Sequence, residues 1–332
     1  MAKLRRPLIT ALVIGGLLLL SACMAARVMR EERGLHGGRA GGVRHQQQAA
    51  VQPITRSAAG GLESQSIDVG GMRRDFLVHV PAGLGAQAPM VLAFHGGGGG
   101  AEGFGTRTGL VEAADRMGFI LVLPEGVRGS WNTGGQEKVG YSSRANLDDV
   151  GFVAGVIDTM LASYPVDPGR VYAAGMSAGG MLTYRLACEL PGRFSAVAVV
   201  AGTMDTVSCP GVQNVSLLHI HGTNDQNVPF EGGAGQLSAD AASYPPVMTG
   251  IQTFKAGDQC TSGASTTTRP AQDTSCEISS CSDGETVELC TVQGGGHAWP
   301  GIPAARWQQR NDVYVSPYFN ATDYVTQFLL SH

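Results

Sequence analysis

Residues 170–184 read RVYAAGMSAGGMLTY. Arg170–Met176 is a short apolar run of the kind a buried strand makes. From Ser177 onward, apolar residues recur at three- and four-residue spacing, as on a helix. No loop separates the two, so a strand passes directly into a helix at Ser177. Such a junction needs a sharp turn, and Gly175 and Gly179 leave room for it. The pattern Gly175-x-Ser177-x-Gly179 is weak on its own. The chain holds 48 glycines in 332 residues, about twice the usual share, and its Gly and Ser frequencies give roughly half a chance match. The neighbouring sequence has to decide.

Outward from this junction the chain alternates. SQSIDVGGMRRDFLVHVP holds two strand-like runs around Gly70-Gly71, a hairpin signal. Short apolar runs follow at 89–95, 119–124, 170–176, 196–202, 216–222 and 286–292. Between them TGLVEAADRM, LDDVGFVAGVIDTMLASY and SAGGMLTYRLACEL carry helical periodicity, as does FNATDYVTQFLLSH, with Asn320 or Thr322 as its cap. Near-continuous apolar strands alternating with amphipathic helices predict an α/β fold, a mostly parallel sheet with helices on both faces. Functional groups then belong in loops at the carboxyl ends of the strands.

Ser177 stands at such an end and opens a helix, whose N-terminus offers positive potential where an oxyanion would form. A nucleophilic serine needs a base, and the base needs a carboxylate to fix its tautomer. Downstream histidines are His219, His221, His297 and His332. His332 is terminal, and His219 and His221 lie inside a strand run. His297 follows the run TVELCTV and Gly294–Gly296, and is the expected base. Asp225, in HGTNDQNVP after the strand SLLHIHG, is the expected acid, with Asp205 second. The loop HGGGGG (95–100) would supply an oxyanion donor from Gly97, or else Gly98, to join the Ala178 N–H. It lacks the Lys-Ser/Thr ending of a phosphate-binding loop. His219-x-His221 would share a strand face, but no carboxylate or thiolate stands at metal-ligand spacing. The reading calls for no cofactor and no metal.

Composition frames the rest. A net charge of −4 supplies no basic field for nucleic acid. Lys3, Arg5 and Arg6 precede the apolar run Leu8–Leu20, too short for a span and suited to a signal peptide. Leu20-Ser21-Ala22-Cys23 resembles the lipobox of bacterial lipoproteins, which implies cleavage before Cys23 and lipidation of its thiol. Residues 1–22 are thus expected as a signal peptide, 23–60 as an arginine-rich flexible tether and 61–332 as the folded domain, exported and membrane-anchored or secreted. Six further cysteines suit disulfides in an oxidising compartment. Neighbour spacing favours Cys188 with Cys209.

Taken together, FLVHVP, VLAFHGGGGG, SWNTGG, DDVGF, RVYAAGMSAGGMLTYRLACELPGRFSAVAVVAG, HGTNDQNVPFEGG and GGGHAWPG resemble the extracellular serine esterases that group polyhydroxybutyrate depolymerases with feruloyl and acetylxylan esterases. The likeness runs from about Ile67 to the C-terminus. It implies an α/β-hydrolase fold, a triad of Ser177, Asp225 and His297, and an ester substrate. It also implies the pairs Cys188–Cys209, Cys260–Cys281 and Cys276–Cys290. No polymer-binding appendage is recognisable, and a lipid anchor would hold the enzyme away from solid polyester. Feruloyl or acetylxylan-type esters on polysaccharide are therefore the expected substrates, and polyhydroxyalkanoates the alternative. Trp131 and Trp299 are expected either to flank an acyl or sugar group or to pack beneath the loops. A serine peptidase and a non-catalytic binding lipoprotein are the rival readings. The first would normally carry a gating domain; the second would be expected to lack a triad member.

Overall fold

In a computed structural model the chain is described over residues 61–332, apart from 208, 210–211, 239–241, 261–264 and 283. The signal peptide of residues 1–22, the tether of 23–60 and Cys23 lie outside the described residues. Strands β1 (Glu63–Val69) and β2 (Met72–His79) form the hairpin over Gly70-Gly71. β3 (Ala88–Phe94) leads through α1 (Ala101–Thr108) and α2 (Leu110–Met117) to β4 (Ile120–Pro124). Helices α3 (Gly140–Arg144) and α4 (Asp149–Ser163) precede β5 (Val166–Met176), which enters α5 (Ala178–Glu189). β6 (Ala196–Val200) and β7 (Ser216–Gly222) follow, then a small ribbon of β8 (Gly233–Ala234) and β9 (Ser243–Tyr244). The remaining elements are α6 (Val247–Gly257), β10 (Ser265–Ala271), β11 (Thr274–Ser280), β12 (Thr286–Val292), α7 (Arg306–Arg310) and α8 (Ala321–Leu330).

One ten-stranded sheet has the order β1-β2-β4-β3-β5-β6-β7-β12-β11-β10. Its centre, β4 to β12, is parallel, and antiparallel pairs close both ends. β3 is buried along its whole length because both faces are covered. Met90, Leu92 and Phe94 join one core with residues of α4, α5 and α6; Val91 and Ala93 join a second with α1, α2 and α8. Each fully buried Leu, Val or Phe contributes about 1.5–3 kcal/mol, so these two layers supply the main drive to fold. Asn320 caps α8 by accepting from the Asp323 N–H.

The structure departs from the expected pattern at the sheet edge. The polar, cysteine-bearing stretch after α6, which reads as an insertion, adds β10 and β11 to the sheet. Serine and threonine dominate these strands because an edge hairpin has little apolar surface to cover, so the period-2 signal fades. β5 also begins earlier than expected, at Val166. Pro168 has no N–H to give the ladder, and the pairing with β3 shifts register between Ala88 and Met90. Disulfides join Cys188 to Cys209, Cys260 to Cys281 and Cys276 to Cys290. The last two cysteines face each other across β11 and β12. Among the described residues no helix is long and apolar enough to cross a membrane.

Candidate active site

The parallel strands β3, β5, β7 and β12 all end on one side of the sheet, and each contributes one part of a single site. Ser177 follows β5 with φ 56° and ψ −125°, a conformation that costs a side-chain-bearing residue on the order of 1–3 kcal/mol. Close packing around the turn excludes larger residues beside it. A Cβ on Gly179 would lie 2.2 Å from the Phe94 carbonyl oxygen, and one on Gly175 would lie 2.3 Å from that of Gly179. The strain is therefore enforced by β3 and α5 pressing on the junction, and it lifts the Ser177 hydroxyl to the sheet top.

His297 lies in the loop after β12. Its Nε2 is 2.9 Å from Ser177 Oγ, and its Nδ1 is 2.8 Å from Asp225 Oδ2. A carboxylate only accepts, so Nδ1 carries the hydrogen and Nε2 is free to take the serine proton. Asp225, after β7, is fixed through Oδ1, which accepts from the N–H groups of Asn227 (2.8 Å) and Val228 (2.9 Å). Burial pushes the Asp225 carboxyl up. The electrostatic influence of neighbouring His297 and hydrogen bonds from His221 and His297 outweigh burial and hold it well below the usual carboxylate range. Asp205, the second candidate acid, is engaged elsewhere, accepting from Thr133 Oγ1 at 2.6 Å.

The glycine loop after β3 is held in place by His95. Its Nδ1–H donates to the Gly96 carbonyl (2.8 Å), and its Nε2 accepts from the Gly126 N–H (3.0 Å). Burial lowers the His95 pKa, which favours this neutral form. Within the loop, the Gly98 N–H donates to Gly129 O (2.7 Å) and the Gly99 N–H to Gly96 O (3.0 Å). Gly97 thus remains as the loop's candidate oxyanion donor, opposite Ala178 at the start of α5. A Cβ on Gly97 would stand 4.0 Å from that of Ala178.

The two tryptophans do not reach the cleft. Trp131 is 1% exposed, donates from Nε1 to the His95 carbonyl (2.8 Å) and meets Phe94 edge-on. Trp299, also 1% exposed, donates to Thr322 Oγ1 (2.9 Å) beneath the His297 loop. Enclosed rings cannot flank a substrate, and their part is to brace the loops. The third tryptophan stands closer to the chemistry. Trp307 on α7 is half-buried, its ring 6.3 Å from that of His297. Beside it, Gln308 Nε2 donates to the His297 carbonyl (2.8 Å). Five residues, RWQQR, are too few for periodicity to mark α7, and no sequence signal points to either residue. His219 and His221 lie side by side on β7, and all four of their ring nitrogens lie in hydrogen bonds.

Comparison with known proteins gives the family and the fold. The family described as "Esterase PHB depolymerase" matches residues 75–251. The chain belongs to this family. Membership makes it a carboxylic ester hydrolase of the α/β-hydrolase type, a serine-hydrolase class. NocK of Nocardia uniformis subsp. tsuyamanensis, named an esterase on inference, is 33% identical over 263 residues, covering 72% of this chain and 74% of that protein. Feruloyl esterase B of Piromyces equi is 28% identical over 241 residues, covering 68% of this chain; the chain spans only 42% of that relative's length. Among solved structures, the acetyl xylan esterase from Aspergillus awamori has the same fold, with a TM-score of 0.51 at 16% identity, covering 75% of this chain and 98% of that one.

Proposed function

We propose that this family member is a Ser-His-Asp esterase acting on feruloyl or acetyl esters carried by polysaccharide. In the proposed cycle His297 takes the proton of Ser177 as its oxygen attacks the ester carbonyl. The N–H groups of Gly97 and Ala178 hold the oxyanion, and His297 then protonates the leaving alcohol. Water enters by the reverse of the same proton transfers and releases the acid. Asp225 stays ionised throughout and stabilises the imidazolium. The observation that carries this reading is the continuous hydrogen-bonded path from Ser177 Oγ through His297 to Asp225, at 2.9 and 2.8 Å. The substrate class is supported by the likeness to a named feruloyl esterase. The family's own description favours a second substrate, polyhydroxyalkanoate oligomers. Export belongs to the same proposal, with Cys23 lipidated and residues 61–332 as the catalytic domain, and three disulfides suit an oxidising compartment.

A hydrolysis panel tests it: p-nitrophenyl acetate and butyrate, methyl ferulate, acetylated xylan and a hydroxybutyrate oligomer, each with Ser177→Ala alongside. Loss of a triad nucleophile lowers kcat on the order of 10⁶-fold, so the variant should fall to background. Preference for methyl ferulate or acetylated xylan supports the plant-wall reading, and preference for the oligomer replaces it with the second. Full activity in Ser177→Ala would sink the nucleophile assignment.

A further inference from the structure

Behind the acid lies a row of buried polar side chains that acyl transfer does not use. Tyr184 on α5 and His219 and His221 on β7 are fully enclosed. Tyr184 Oη is 2.7 Å from His219 Nδ1, and His219 Nε2 is 3.0 Å from His221 Nδ1. His221 Nε2 is 2.9 Å from the Val228 carbonyl oxygen and 3.4 Å from Asp225 Oδ2. The two imidazoles stack, 5.3 Å between centroids.

One end of the row sets the direction of every proton in it. Carbonyl and carboxylate oxygens only accept, so His221 Nε2 carries the hydrogen. Its Nδ1 is then bare and accepts from His219 Nε2–H. His219 Nδ1 is bare in turn and accepts from the Tyr184 hydroxyl. Burial, and then the neighbouring His221, push His219 well below its ordinary value, and burial raises Tyr184; both stay neutral. Every dipole in the row therefore points toward Asp225. Tyr184 also lies two turns along the helix that Ser177 opens, so the row links the nucleophile's helix to the acid's loop.

We propose that His221 is a positioning residue for the acid, and that Tyr184, acting through His219, supports the tautomer that the Val228 carbonyl and Asp225 set in His221. The inference rests on Asp225 serving as the partner of His297. Without the Tyr184 hydroxyl, His219 Nδ1 becomes a buried acceptor with no donor, so the row behind His221 loosens and holds its N–H less firmly on the acid. Among the described residues the titratable groups facing His221 are His219 and Asp225. Phe230 meets its ring edge-on, and Thr291 is its pairing partner on β12.

The test is the pH dependence of p-nitrophenyl acetate hydrolysis by the full chain, with melting temperatures measured in parallel. The set comprises wild type, His221→Leu, His221→Gln, Tyr184→Phe and Ser177→Ala. His221→Leu should lower kcat roughly 10-fold, the scale of a long N–H contact to a charged group, with KM unchanged. His221→Gln retains an N–H donor and should recover much of that loss, whereas a packing role alone would not set glutamine above leucine. Tyr184→Phe should fall between, and it removes a single oxygen, so it decides if His221→Leu does not fold. The acid limb of kcat/KM should move to higher pH in the leucine and phenylalanine variants, because Asp225 freed of the donor acts more strongly on His297. The proposal is overturned if these variants lose activity only in proportion to lost fold, with the limb unmoved. Activity in Ser177→Ala would instead remove the reading of the site on which it rests.

Discussion

At the scale of single residues, the site is built by close contact more than by reach. Ser177 holds a positive φ because β3 and α5 leave no other path for the chain. Gly179 shows what that requires: any Cβ there meets the carbonyl oxygens of Phe94 and His95, at 2.2 and 2.6 Å. Those two residues lead into the glycine loop, so the clash would act on the proposed oxyanion donors as well as on the fold. Gly179→Ala should therefore destabilise the protein by about 1–3 kcal/mol, the usual cost of overpacking, and lower kcat beyond the loss of folded enzyme. Urea melts set beside kcat check this, and wild-type values in both would show that the loop yields freely. Gly175, Ser177 and Gly179 are legible in sequence because a strand meets a helix there without a loop. Trp307 and Gln308 are not legible, since their role depends on where a short polar helix docks.

At the scale of elements, the parallel centre of the sheet announces itself through apolar runs, because strands covered on both faces have no polar side to interrupt them. The edge hairpin of β10 and β11 does not, because its exposed positions take serine and threonine. Connections are reinforced covalently. Cys188–Cys209 ties the end of α5 to the link between β6 and β7, across 21 residues. Replacing both cysteines by serine should cost about 3 kcal/mol on the chain-entropy account of disulfides. Denaturant unfolding of the double variant reads this directly; an unchanged midpoint would mean that the loop is already ordered in the unfolded chain. Since the disulfide lies behind α5, kcat of the folded fraction should hold.

At the scale of the whole molecule, two buried acids differ in their partners. Asp149 pairs with Arg74 at 2.6 Å and accepts from the Asn132 N–H, tying β2 and α4 to the loop before α3. Asp258, at the end of α6, has no such cation. Burial pushes its carboxyl up to about 6, against the pull of the Asn214 and Val215 N–H groups and with a further push from Glu285. Its folded value lies above the unfolded one of about 3.9, so the folded state holds the proton more tightly. This contribution to stability is fully present below about pH 4, shrinks as pH rises and is gone above about pH 6. Asp258→Asn should therefore stabilise the protein at pH 7 relative to wild type and flatten the dependence between pH 4 and 6. Urea unfolding at pH 4.5 and 7 measures it; equal slopes in both proteins would remove Asp258 as the source.

What the chain order carries on its face is the alternation of strands and helices, the strand-to-helix junction at Ser177, and the sequence of serine, acid and histidine along the chain. These depend on local periodicity and on residue type, which neighbouring residues express without folding. Bringing Ser177 and His297 together across 120 residues depends instead on the neighbour order of β5, β7 and β12 in the sheet. So do the enclosure of Trp131 and Trp299, the commitment of the Gly98 N–H to Gly129, and the proton direction along Tyr184, His219 and His221. Each is a matter of which groups meet at hydrogen-bond distance once water is excluded, and periodicity along one strand holds no record of its neighbours across the sheet.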